Sequence, residues 1–143
     1  MTTVFNSLVK AFETKLKEAP AVCANIYVSR DRQVPEGVLE AVHIEFSSAV
    51  PVLGPMATEA IDWTTRITVD CLAKSTSQSG PDAVDQLFSK VYQRLVETPS
   101  LGLQDVFIGI PTVESDFESH GLKAGQIRMT FEVQHRTRNS SLE

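Results

Sequence analysis

The stretch from Ile61 to Ala73 constrains this chain most. Ile61, Trp63, Thr65, Ile67, Val69 and Cys71 occupy alternate positions, with Asp62, Thr64, Arg66, Thr68 and Asp70 between them. Side chains of a strand point to opposite faces in turn, so the pattern predicts one long strand with an apolar face and a polar face. A sheet that is covered on one side and wet on the other is characteristically antiparallel.

The remaining segments fit around that strand. Val4, Phe5, Leu8, Val9, Phe12 and Leu16 recur at helical spacing, with Thr2 or Thr3 as the cap and Pro20 marking the end. Strands are expected at 21–28, at 38–47 (Val42, Ile44 and Phe46 on one face, His43 and Glu45 on the other), at 105–112 and at 126–137. A second helix opens at Pro81, with Asp82 and Asp85 near its positive end, and carries the stripe Val84, Leu87, Phe88, Val91, Tyr92 and Leu95. Glu114, Asp116 and Glu118 read as an acidic stretch leading into a loop around His120. The order α-β-β-β-α-β-β predicts an α+β fold: a mainly antiparallel sheet of about five strands with two helices packed on one face. With 143 residues, one domain over 1–138 is expected, followed by a polar tail at 139–143 for which a vector-derived end is one reading.

Residues 48–59 read differently. Ala49-Val50-Pro51-Val52-Leu53-Gly54-Pro55-Met56-Ala57 is apolar, yet two prolines and a glycine break it, which disfavours both a regular helix and a central strand. An apolar loop of this kind either tucks back onto its own domain or docks on something else. Lys74 to Gly80, rich in Ser, Thr and Gln, reads as a flexible loop.

Charge and cysteine content disfavour several roles. Thirteen basic residues against 18 acidic ones give a net charge of −5, the wrong sign for a chain whose main task is gripping phosphate backbones. Cys23 and Cys71 are too few for a disulfide scaffold and lack metal-ligand spacing. The first twenty residues carry Lys10, Glu13, Lys15, Lys17 and Glu18, leaving no apolar signal segment, and no run approaches a membrane span. A cytoplasmic site of synthesis is therefore expected.

No catalytic constellation stands out. The sequence has no Walker or Rossmann glycine loop, no paired-histidine zinc motif and no G-x-S-x-G elbow. His43 and Glu45 share one strand face, but two candidate ligands fall short of a metal site. No cofactor and no metal are expected, and the chain does not read as an enzyme. Asp62, Arg66 and Asp70 have two readings: a solvated ladder of weak cross-strand pairs, or a charged face that meets a neighbouring subunit.

The polar ladder Trp63-Thr64-Thr65-Arg66-Ile67-Thr68-Val69-Asp70-Cys71-Leu72 is followed by Asp82-Ala83-Val84-Asp85-Gln86-Leu87-Phe88 and Val91-Tyr92-Gln93-Arg94-Leu95. Then come Pro99-Ser100-Leu101-Gly102-Leu103, Asp105-Val106, and a last strand ending Phe131-Glu132-Val133-Gln134-His135-Arg136-Thr137. Over nearly its whole length the chain resembles the tail terminator, or tail completion, proteins of long-tailed phages, of the lambda minor tail protein U type. The resemblance implies a structural virion protein, made in the host bacterial cytoplasm and found in the virion tail. It implies a homo-oligomeric ring, typically of six subunits, that caps the head-proximal end of the tail tube, stops its growth and offers a surface to head completion or connector proteins. DNA would pass through such a ring without specific binding, and no membrane is involved.

A closed ring needs two different patches on each subunit. Glu114, Asp116 and Glu118 on one side and Arg128, Arg136 and Arg138 on the other are candidates for patches of opposite sign. Subunit-interface candidates are thus Asp62, Arg66, Asp70, Glu114, Asp116, Arg128 and Arg136. Val50, Val52, Leu53, Met56 and Lys74 are candidates for docking to tube or head proteins. Two alternatives stay open: another head-tail connector or stopper, and a small-ligand enzyme domain using the face around His43, Glu45 and Arg66.

Overall fold

In a computed structural model the chain forms two helices and a mostly antiparallel six-stranded sheet, an α+β fold. The structure describes residues 3–18, 20–23, 25–28, 40–52, 60–75, 80–97, 103, 106–120 and 122–138. The elements are α1 (Val4–Lys17), β1 (Ile26–Val28), β2 (Glu40–Pro51), β3 (Ala60–Ser75), α2 (Gly80–Val96), β4 (Phe107–Ile108), β5 (Thr112–His120) and β6 (Leu122–Arg138). The sheet runs β1-β2-β3-β6-β4, with β5 also on β6, and only the β1–β2 pair is parallel.

The alternation of β3 decides the layers. Ile67, Val69 and Cys71 are buried and pair across the ladder with Phe131, Met129 and Ile127 of β6, which are buried too. Both helices cover this face. Leu8, Phe12 and Leu16 of α1 and Val84, Leu87, Val91 and Leu95 of α2 enter the same core cluster as the strand residues. Phe12 and Phe131 rings sit 5.6 Å apart. Each such side chain contributes about 1.5–3 kcal/mol by leaving water.

Thr3 caps α1, its hydroxyl accepting from the Asn6 N–H at 3.4 Å. At the other end Arg94 of α2 donates to the carbonyls of Lys15 (3.3 Å), Glu18 (2.7 Å) and Pro20 (2.6 Å). A cation on the orphan carbonyls of a helix end satisfies them and opposes the macrodipole. The chain then wraps this end, with the Val22 N–H donating to the Leu16 carbonyl. That wrapping is why β1 is only three residues long rather than spanning 21–28.

Further boundaries depart from the sequence expectation. β3 runs on through Lys74 to Ser75, into the segment expected as a flexible loop, and β6 begins at Leu122 rather than 126, because the two strands continue to pair there. β2 continues to Pro51, past the reach of β1, where a missing N–H costs the sheet little. A register shift between Phe46 and Ser48 inserts one residue. Val42, Ile44 and Phe46 therefore pair on the core face, whereas Val50 pairs with Thr64 on the polar face and is exposed. The acidic stretch expected to lead into a loop is β5, paired residue for residue with β6. The expected strand at 105–112 is reduced to β4, because Gly109, Ile110 and Pro111 stand opposite only Phe131 and Glu132 of β6. At this bulge the Gly109 N–H donates to the Glu132 carbonyl at 2.8 Å, and a Cβ at Gly109 would lie 3.1 Å from that oxygen.

Candidate functional site

The polar face of the sheet gathers most of the residues that the sequence singles out. Asp62, Arg66 and Asp70 of β3 stand opposite Arg136, Glu132 and Arg128 of β6. The signs alternate along both strands, so every pair is complementary. Arg136 grips Asp62 with two hydrogen bonds, Nε–Oδ1 at 2.7 Å and Nη2–Oδ2 at 3.3 Å. Arg128 grips Asp70 in the same way, at 2.7 and 3.2 Å. Arg66 and Glu132 approach to 3.5 Å.

Burial separates these pairs. The Asp62 and Arg136 side chains are 51% and 60% exposed, whereas Asp70 is 6% and Arg128 35% exposed. An exposed pair is worth about 0–1 kcal/mol at most; a pair withdrawn from water is costly to break, since the survivor keeps an uncompensated charge. The hydrogen bond from Arg136 holds the Asp62 carboxyl below its ordinary pKa. Asp70, the largest influence on Arg128, pushes that guanidinium's pKa further up, with Glu114 and Glu45 adding to the field.

Asp70 sits at the centre of a transverse row. Tyr27 and Val42-flanked His43 meet on β1 and β2, their rings 5.2 Å apart. His43 is opposite Asp70, Asp70 opposite Arg128, and Arg128 opposite Glu114 of β5. The acidic and basic groups expected to form separate patches therefore lie side by side on one face, and Arg128 meets an acid within its own chain. Asp116 pairs in register with Gln126, and Lys74 with Ala124. Leu53, Met56 and the side chains of Asp116, Lys74 and Arg138 lie outside the described residues.

At the other end the face turns apolar. Val52, Trp63, Thr64, Phe107, Gln134, His135 and the Asp62–Arg136 pair line a cleft of about 390 Å³. Val50 and Val52 approach from the β2 side and Phe107, 64% exposed, from β4. Beyond it Ile110, at the bulge, is 90% exposed. Sequence reasoning found Val50 and Val52 but passed over Phe107, Ile110 and the role of Glu132. A Pro next to an isoleucine in a glycine-marked bulge is the signal that points to Ile110.

The sheet also has two unlike edges. One is β1, three residues laid parallel on β2; the other is β4 and β5 along β6, interrupted by the bulge. Among the described residues no strand pairs with the outer side of either.

The remaining chemistry is muted. Burial pushes the Cys71 and Cys23 thiols above their ordinary pKa, away from the reactive thiolate. Among the described residues no group of three or more His, Cys, Asp or Glu side chains is placed to hold a metal ion. No helix of the described residues is long and apolar enough to cross a membrane. No family model matches the chain, and no curated protein matches it.

Proposed function

We propose that the chain is a structural ring-former of the tail terminator type: copies join head to tail, cap the head-proximal end of a phage tail tube, end its growth and present the ring to head completion proteins. The observation that carries this reading is the pair of unlike sheet edges. A ring requires a heterologous contact, in which one patch meets a different patch on the next copy. A short parallel edge at β1 and a bulged edge at β4–β5 with exposed Phe107 and Ile110 offer two such patches on opposite sides of one rigid sheet. Large exposed apolar side chains grouped at one place are a common mark of contact surfaces.

The charge ladder has a different role in this reading. Its members answer one another within the chain, so in this reading they order the polar face rather than supply the subunit contacts. The proposed role requires neither a cofactor nor catalysis.

Native mass spectrometry of the purified chain tests this directly. One closed oligomer, lost to monomer in Phe107→Asp with Ile110→Asp while far-ultraviolet circular dichroism is unchanged, is the expected result. A chain that stays monomeric alone and with its tube protein would overturn the ring. Binding to the portal side rather than to tube protein would favour the connector or stopper alternative.

A further inference from the structure

An aromatic cluster beneath the first turn of α1 holds a histidine that ring assembly does not use. His135 is 4% exposed and lies on the core face of β6, opposite Trp63 of β3. Its Nε2 shares a hydrogen bond with the buried Thr65 hydroxyl. Among the described residues its Nδ1 has no hydrogen-bond partner. Phe5 of α1 stands edge-on to His135, with centroids 5.6 Å apart, and edge-on to Trp63 at 5.4 Å; its third neighbour is Phe46 of β2, also at 5.4 Å. The Trp63 indole N–H donates to the Thr137 hydroxyl at 2.8 Å.

This seat suits a neutral imidazole. A proton would put a full charge and a second N–H donor into a space walled by rings, where neither is compensated. The groups shown against the ring are Phe5 from α1 and Trp63 and Thr65 from β3, none of them ionisable. Phe46 of β2 joins through Phe5 and is likewise uncharged. The nearest charged groups, Asp62 and Arg136, alternate with Trp63 and His135 along their strands and line one cleft with them; they bind each other, so the ring gains neither a free carboxylate nor a free guanidinium. The amino end of α1, one residue before Phe5, adds the positive pole of a helix dipole, which also opposes a cation.

We propose that the first turn of α1 is an acid-released latch: protonation of His135 drives Phe5 off Trp63 and Phe46 and frees the helix's amino-terminal turn. The inference is independent of the ring reading. Burial lowers the pKa of His135 from its ordinary 6.5. The closed latch therefore holds fewer protons than the open one, so closure is fully stable above that value and is lost as pH falls below it. Besides Phe5, this turn is held by the Thr3 cap, a 3.4 Å hydrogen bond from the Asn6 N–H to the hydroxyl and a 3.0 Å one from the Ser7 N–H to the carbonyl.

Trp63 is the chain's one tryptophan, so its fluorescence reports the latch without labelling. The emission of the whole chain is followed from about pH 8 to about pH 4, across the ordinary histidine range. The expected result is one step below the ordinary histidine value, with far-ultraviolet circular dichroism changing only by the loss of a helical turn. His135→Phe is expected to remove the step, and His43→Gln to keep it. Flat emission over the range, the same step in His135→Phe, or its loss in His43→Gln each overturns the proposal. Should His135→Phe not fold, an NMR titration of the unmodified chain decides: the His135 and Phe5 ring signals must move with one midpoint, and separate midpoints overturn the latch.

Discussion

The two bidentate pairs on the polar face, Asp70–Arg128 and Asp62–Arg136, have nearly the same geometry and unlike surroundings. Both arginines approach their carboxylates to 2.7 Å through Nε. Asp70 is flanked by β2 and β6 in mid-sheet and by the row from Tyr27 to Glu114, while Asp62 lies near the end of the ladder and is half exposed. The comparison teaches that distance alone does not rank ion pairs. Water competes for Asp62 and hardly reaches Asp70.

Breaking the inner pair has the largest expected effect. Asp70→Ala leaves Arg128 partly withdrawn from water without its hydrogen-bonded counter-charge, and a loss of about 2–3 kcal/mol in urea unfolding is expected, below the full range for a wholly buried pair because Arg128 is one-third exposed and keeps Glu114 opposite it. Reversing both members, Asp70→Arg with Arg128→Asp, is expected to recover about 1 kcal/mol of that loss in a double-mutant cycle. Recovery stays partial because His43 and Glu114 keep their places beside the exchanged charges.

Acid separates the outer pair in a second way. The Asp62 carboxyl titrates below its ordinary 3.8 because Arg136 donates to it. Its contribution is present above 3.8 and is lost as pH falls through the lowered folded value. Asp62→Asn is expected to flatten the acid limb of the stability profile slightly and to lose a correspondingly small amount of stability at neutral pH. The smallest effect is that of salt. At about 0.5 M the Debye length is a few ångströms, so the residual influence of Asp62 in an Asp62→Asn comparison should vanish while that of Asp70 persists.

Much of this ladder was legible before any coordinates. Asp62, Arg66 and Asp70 recur every four residues, and Arg128, Glu132 and Arg136 recur every four with opposite signs. Antiparallel pairing that matches all three is the pairing the structure adopts. The helix stripes and the core face of β3 were legible for the same reason, since burial imposes a period on apolar residues. β5 was harder to see. Its alternation of Val113, Ser115 and Phe117 with Glu114, Asp116 and Glu118 is there, but acidic residues disfavour strands by themselves, and pairing with β6 decides the matter. The register shift after Phe46 left no sequence signal. It sends Val50 to the polar face, which changes an apolar loop expectation into an exposed strand end. His135 reads in sequence as the end of a strand; only the packing of Phe5 and Trp63 around it reveals a buried ring.

We propose that copies of this chain close into a ring on the end of a tail tube. Electron microscopy of the purified chain mixed with its matching tube protein during polymerisation tests it most directly. Tubes that stop growing and carry a ring-shaped cap at one end only are the expected result. Tubes of unchanged length, with bare ends, in the presence of excess folded chain would contradict it.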